Sequence, residues 1–229
     1  MGRAMSVSAF HAVLETYHEE FARARCARTD PDQRPPDMRM RSDGPTTGRF
    51  LNLLVRGYQR PVILELGTSY GYCGLWLAEA AAAVDGRLIT MDLDPEKTEF
   101  ARVRAEQAGL DDVIDYWTGD ALAMITDLED KLDLVFISLR PDLLVEALEA
   151  LLPRLKAGAL VVADHKLDPL GTSGQRYAAA LRATPGFTSV MLPLGAGVEL
   201  SRYDPGISGE KPHPTDHGAP RPTERRPRP

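Results

Sequence analysis

The stretch from Val62 to Asp94 limits the fold more than any other part of the 229-residue chain. It opens on an apolar run, Val62-Ile-Leu-Glu-Leu66, which breaks into Gly67-Thr-Ser-Tyr-Gly71. An alanine-rich segment over 73–84 follows, then Leu88-Ile-Thr-Met-Asp92. A short strand, a glycine loop, a helix and a second strand ending on a carboxylate together make the opening unit of a parallel sheet with a nucleotide pocket. Glycines let backbone come close to a ligand. Asp92 falls about 20 residues past the loop, where a carboxylate can accept hydrogen bonds from a ribose diol.

The rest of the chain keeps that rhythm. Strands are expected near 62–66, 87–92, 113–117, 132–138 and 159–163, and helices near 73–84, 95–108, 120–129, 141–152 and 174–183. Strands alternating with helices mean a parallel sheet covered on both faces. Phe187–Leu192 and Gly197–Arg202 have no helix between them, so they should pair as an antiparallel hairpin at the sheet edge. Ahead of the sheet, residues 6–28 repeat apolar side chains at helical spacing, from Val7 and Phe10 to Tyr17 and Phe21. A proline-broken loop over 29–45 and a short helix near 46–57 follow. The chain therefore divides into an N-terminal helix and loop, 1–45, acting as a lid or a dimer contact, then a ligand-binding domain, 46–203. A Pro/Arg-rich tail, 204–229, is too poor in apolar residues to order itself.

Bulk properties exclude several classes of function. A net charge of −6 argues against nucleic acid as a partner. No apolar run approaches the roughly 20 residues that cross a bilayer, and no secretory signal pattern is expected. Two cysteines, Cys26 and Cys73, make no disulfide framework, which suits the cytoplasm.

The loop spacing narrows the ligand. Gly67, Gly71 and Gly74 read G-x-x-x-G-x-x-G rather than the dinucleotide pattern G-x-G-x-x-G, and Glu65 stands just before the first glycine. A carboxylate there suits an ammonium or sulfonium centre and suits a diphosphate badly. The plainer alternative is a generic strand–turn–helix junction. Asp92 is assigned to ribose, and Asp94, just before Pro95, to capping the next helix. Asp120, in Gly119-Asp120-Ala121, either caps a helix or accepts from an adenine amino group.

These segments resemble the catechol/caffeoyl-CoA type of class I S-adenosylmethionine-dependent O-methyltransferase, in its bacterial branch. The resemblance covers residues 38–202 and rests on Ile63–Gly71, Ile89–Pro95, Gly119–Leu122, Asp133–Ile137, Leu152–Gly158, Leu160–Asp164 and Gly197–Ser201. It implies a Rossmann-like α/β fold with a seven-stranded sheet, six strands parallel and the last antiparallel. It implies S-adenosylmethionine as cofactor, with Glu65 near its amino acid end, Asp92 on the ribose and Asp120 near the adenine. Thr68, Ser69, Leu93, Ala121 and Ser138 complete the expected cofactor-binding set with Gly67, Gly71 and Gly119.

The chain departs from that family where a divalent metal is usually held. The first carboxylate position reads Ser138, the next two read Asp164-His165, and the family's lysine position is Pro141, with Arg140 beside it. One carboxylate beside a neutral imidazole makes a poor Mg²⁺ site. A metal is doubtful on this reading, and Asp164 and His165 are its only candidate ligands. His165 becomes the candidate base, with Asp164 beside it, unless it is merely a solvent-exposed loop histidine. His11 and His18 read as surface residues of the first helix. The expected activity is methyl transfer to a small-molecule hydroxyl in bacterial secondary metabolism, and the resemblance makes a homodimer plausible. N- or C-methylation, or a binding protein that has lost turnover, are the alternatives.

Overall fold

The computed structural model describes residues 7–27, 44–164, 172–195 and 197–206. In chain order the elements are α1 (Val7–Ala27), α2 (Gly44–Val55), β1 (Val62–Leu66), α3 (Tyr72–Ala83), β2 (Arg87–Asp92), α4 (Pro95–Ala108) and β3 (Ile114–Thr118). Then come α5 (Ala121–Met124), β4 (Leu132–Ile137), α6 (Leu144–Leu151), β5 (Leu155–Asp164), α7 (Thr172–Ala183), β6 (Phe187–Leu192) and β7 (Val198–Tyr203). The seven strands form one sheet in the order β3-β2-β1-β4-β5-β7-β6. Neighbours from β3 to β5 run parallel, while β7 is antiparallel to both β5 and β6. The terminal hairpin therefore folds back, with β7 inserted and β6 left as the edge.

Strand alternation assigns the two faces. Ile63, Leu88, Leu134, Phe136 and Val162 pack under α1 to α4. Leu64, Leu66, Ile89, Met91, Val135 and Ile137 pack under α5 to α7. With both faces covered, the buried positions of β1, β2, β4 and the second half of β5 are mostly apolar, which is why these strands read as hydrophobic runs. Helix α6 shows the matching helical pattern: Leu144, Ala147, Leu148 and Leu151 recur at three- and four-residue spacing and all are buried. Each of its leucines contributes roughly 1.5–3 kcal/mol by burial.

Three boundaries differ from expectation. The helix expected over 120–129 stops at Met124 and passes into a tight turn, Ile125–Asp127. Arg154 donates to the carbonyls of Thr126, within that turn, and Leu128, just past it. Strand β5 begins at Leu155, ahead of the 159 expected, and runs through Lys156-Ala-Gly158. This stretch forms a bulge: Leu132 pairs with Leu155 but Leu134 with Leu160, and Gly158 takes φ +85° within it. The helix expected over 141–152 has tight turns at both ends, Pro141–Leu143 and Leu152–Arg154.

The apolar side of α1 is covered by its own chain: Phe10, Val13, Leu14 and Tyr17 are buried against the α3 and α4 side of the sheet. Among the described residues no helix is long and apolar enough to cross a membrane. The loop over 29–43 and the tail from 207 lie outside the described residues.

Candidate functional site

The strand order reverses at β1, which has β2 on one side and β4 on the other, and ligands of open α/β sheets bind in the crevice at that point. The glycine loop closes the crevice. Gly67 and Thr68 donate their amides to Met91 O, at 2.8 and 3.2 Å, and Ser138 donates its own to Leu66 O at 2.8 Å. The loop thus continues the pairing of β1 with both neighbours. Gly67 has φ +95°, and a Cβ there would stand 2.6 Å from the carbonyl oxygen of Ser138. Only glycine allows this approach. Ser69 (φ 48°) and Gly71 (φ 79°) are also left-handed, and Gly71 N–H closes the turn on Thr68 O at 2.9 Å.

Asp92 ties the second strand to this loop. Its Oδ2 accepts the Ser69 amide at 2.7 Å and its Oδ1 the Asp94 amide at 2.9 Å. Its backbone carbonyl accepts the Gly119 amide at 2.9 Å. Asp94 caps α4, accepting from Glu96 and Lys97, and Asp120 caps α5, accepting from Leu122 at 2.9 Å. Leu93 is 74% exposed beside Asp92, an unusual position for a large apolar side chain. Glu65, Gly67, Thr68, Ser69, Gly71, Asp92, Leu93, Gly119, Asp120, Ala121 and Ser138 thus gather at the C-terminal ends of β1 to β4 and in the turns that follow.

Glu65 lies deeper than the others. It is 1% exposed and points under α3, so that a Cβ on Gly74 would come within 2.7 Å of its Oε2. Thr68 and Thr90 hydroxyls lie 2.6 Å apart, and Thr90 donates onward to Glu65 Oε2 at 2.7 Å. Glu65 Oε1 and the hydroxyl of Tyr116 are buried with no partner among the described residues. Both residues line a cavity beneath the loop with room for about one water. Burial, helped by the nearby Asp92 charge and opposed by the Thr90 bond, pushes the Glu65 carboxyl up to about 8.

On the opposite side of the crevice, β4 ends beside Ser138 and β5 ends on Asp164, which is 5% exposed. His165 lies outside the described residues, so its position relative to Asp164 is not described. Arg140 pairs with Asp142 at 2.6 Å on the surface. Among the described residues no three His, Cys, Asp or Glu side chains converge as metal ligands.

A family model described as O-methyltransferase matches residues 27–203. The chain belongs to the O-methyltransferase family. It is 30% identical to the catechol O-methyltransferase of Niastella koreensis over 178 residues, 71% of this chain and 79% of that protein. It is 29% identical to the caffeoyl-CoA O-methyltransferase of Petroselinum crispum, across 68% of this chain and 73% of that one. Among solved structures, the O-methyltransferase TomG of Streptomyces achromogenes, involved in tomaymycin synthesis and solved in complex with SAM, superposes with a TM-score of 0.61. It is 28% identical, covering 69% of this chain and 79% of that one.

Within this O-methyltransferase fold, three polar positions stand out that the motif reading passes over. Thr90 faces the same side of the sheet as Glu65, its register partner, between Leu88 and Asp92 on that face of β2. Tyr17 and His18 of α1 bond to residues flanking Gly71. The Thr90 signal is present in the sequence as a lone polar residue two positions before Asp92. The α1 contacts leave none, because nothing local says which surface an amphipathic helix will cover.

Proposed function

We propose that the chain transfers the methyl group of S-adenosylmethionine to a hydroxyl of a small molecule. The observation that carries this reading is the fastening of the glycine loop to Asp92 at the switch point of the sheet, beside a Gly67 that only glycine can fill. The residues present fit the cofactor. The loop offers backbone rather than side chain at the crevice, Asp92 keeps a half-buried carboxylate at the end of β2 for a ribose diol, and exposed Leu93 offers an apolar face for a base. Glu65 Oε1 is buried beneath the loop with no partner among the described residues, and contributes no ligand contact to this reading. The cofactor, when bound, supplies an already activated methyl group.

What remains for the protein is to bind, align and deprotonate. Ser138 and Asp164 mark the acceptor side, and His165, next in sequence, is proposed as the base, with Asp164 as its companion. Ser138 and Asp164 bring one carboxylate between them, a donor set poor for Mg²⁺. His165→Ala is expected to lower kcat roughly 100-fold with cofactor affinity retained. Turnover that survives a chelator supports the metal-free reading, and loss that Mg²⁺ restores overturns it.

Calorimetry with S-adenosylhomocysteine tests the cofactor reading, with NAD as the contrasting ligand. Asp92→Asn keeps the shape of the side chain but puts an amide where two backbone N–H groups and a diol need an acceptor. It is expected to weaken S-adenosylhomocysteine binding by about tenfold or more. Wild-type affinity in that variant would remove Asp92 from the site. The same reading places the enzyme in the cytoplasm, in secondary metabolism and as a homodimer. Sedimentation would register the dimer as twice the 25.1 kDa chain mass.

A further inference from the structure

Helix α1 reaches the glycine loop from behind. Tyr17 is fully buried, and its hydroxyl donates to the backbone carbonyl of Tyr70. One residue further, His18 Nε2 and the Tyr72 hydroxyl share a hydrogen bond of 2.9 Å. The two contacts bracket Gly71, whose own Cβ position would fall 3.4 Å from the Tyr17 oxygen. Helix α4 holds the bracket in place. Arg104 pairs with Glu20 of α1 and lies over the rings of Tyr17, at 5.5 Å, and Phe100, at 4.9 Å. The Tyr70 ring meets Phe100 edge-on at 5.4 Å.

The loop needs such support. Ser69 sits at φ 48°, a region that costs a residue with a side chain, and such conformations persist only where neighbours over-determine them. Asp92 holds the Ser69 amide on one side of the 69–70 segment. Tyr17 holds the Tyr70 carbonyl on the other.

We propose that Tyr17 is a positioning residue for cofactor binding: its hydroxyl keeps the Ser69–Gly71 turn in its binding shape before any ligand arrives. This rests on the reading of the loop as the S-adenosylmethionine site. A loop already in its bound shape spends less of the binding free energy on ordering, so the contact acts on cofactor affinity while touching no ligand. It also makes α1 part of the site without making it a lid.

The test uses the full chain and two variants. Tyr17→Phe keeps the ring packing and removes the donor. Phe10→Leu, further up α1, loosens an edge-on contact with Trp76 at 5.2 Å and leaves the loop alone. Amide hydrogen exchange over residues 67–72 in the ligand-free protein reads the loop directly. Calorimetry with S-adenosylhomocysteine reads the consequence. Tyr17→Phe is expected to speed exchange in the loop and to raise the Kd about 5- to 20-fold. Phe10→Leu is expected to lower Tm and change neither. Wild-type exchange and Kd in Tyr17→Phe overturn the proposal. So does a Phe10→Leu protein that matches Tyr17→Phe in both, since general loosening would then suffice. If the unmodified chain takes up no S-adenosylhomocysteine, the cofactor reading falls and the effect on affinity falls with it. The exchange data still decide whether Tyr17 holds the loop.

Discussion

Gly67→Ala is expected to abolish S-adenosylhomocysteine binding and to destabilise the fold by about 3–4 kcal/mol. Two costs combine. At φ +95° an alanine stands outside even the small left-handed well open to L-residues. Its Cβ would also lie 2.6 Å from the Ser138 carbonyl oxygen, so one backbone must move. Neither is free to do so. Ser138 N–H is spent on Leu66 O, and Gly67 N–H on Met91 O, both at 2.8 Å. Relief therefore opens the pairing of β1 with β4 or with β2, at the point where the cofactor is proposed to sit. Gly109→Ala is the matched control. Gly109 is also left-handed, at φ +72°, but it ends α4, and a Cβ there would meet nothing within 4 Å. Its replacement is expected to cost only about 1–2 kcal/mol and to leave binding intact. Denaturant unfolding and calorimetry on the two variants separate backbone strain from steric closure of the site. Wild-type affinity in Gly67→Ala would show that the loop does not approach the ligand at this residue.

The contrast between these glycines explains which parts of the site could be read from sequence. Loop, strand and capping signals are local. Val62–Leu66, Gly67–Gly71 and Asp92 declare themselves through apolar run, glycine spacing and distance along the chain, and the Asp94-Pro95 pair separates the cap from the ribose candidate. Contacts made across the fold are not local. The carboxylate of Glu65 reads as facing a ligand, yet strand alternation turns it under α3, where Thr90 binds it. The segment expected to be helix up to 129 turns away at Met124, and Arg154, far along the chain, holds it there by donating to the carbonyls of Thr126 and Leu128. Strand β5 extends through Lys156-Ala-Gly158 because β4 lies alongside and Lys156 pairs with Asp133 at 2.7 Å. The apolar face of α1 announces that it will be buried, but its target, the back of the glycine loop, depends on where α3 and α4 come to rest.

Glu65→Gln is expected to remove a pH dependence of stability that the unmodified chain carries between about pH 4.5 and 8. Burial raises the carboxyl from 4.5 to about 8 in the folded protein. A raised folded value means that the neutral form is the one the fold prefers. The associated stability is fully present below the unfolded value and is lost as pH rises through the folded one. The slope is about 1.4 kcal/mol per pH unit within the window, so the unmodified chain should lose on the order of 4 kcal/mol across it. Cys73, Tyr17 and Tyr116 also feel this carboxyl, but burial pushes each of them upward, so they stay neutral over the same range. Gln keeps an oxygen for the Thr90 hydroxyl and adds a donor in a cramped space beneath Gly74, a penalty that does not vary with pH. Urea unfolding at pH 5, 6, 7 and 8 should therefore show Gln the weaker at pH 5 and closing on, or passing, the unmodified chain by pH 8. Parallel curves would mean that Glu65 is already ionised at pH 5 while buried. That state would require a cation beside Oε1, and no described residue supplies one.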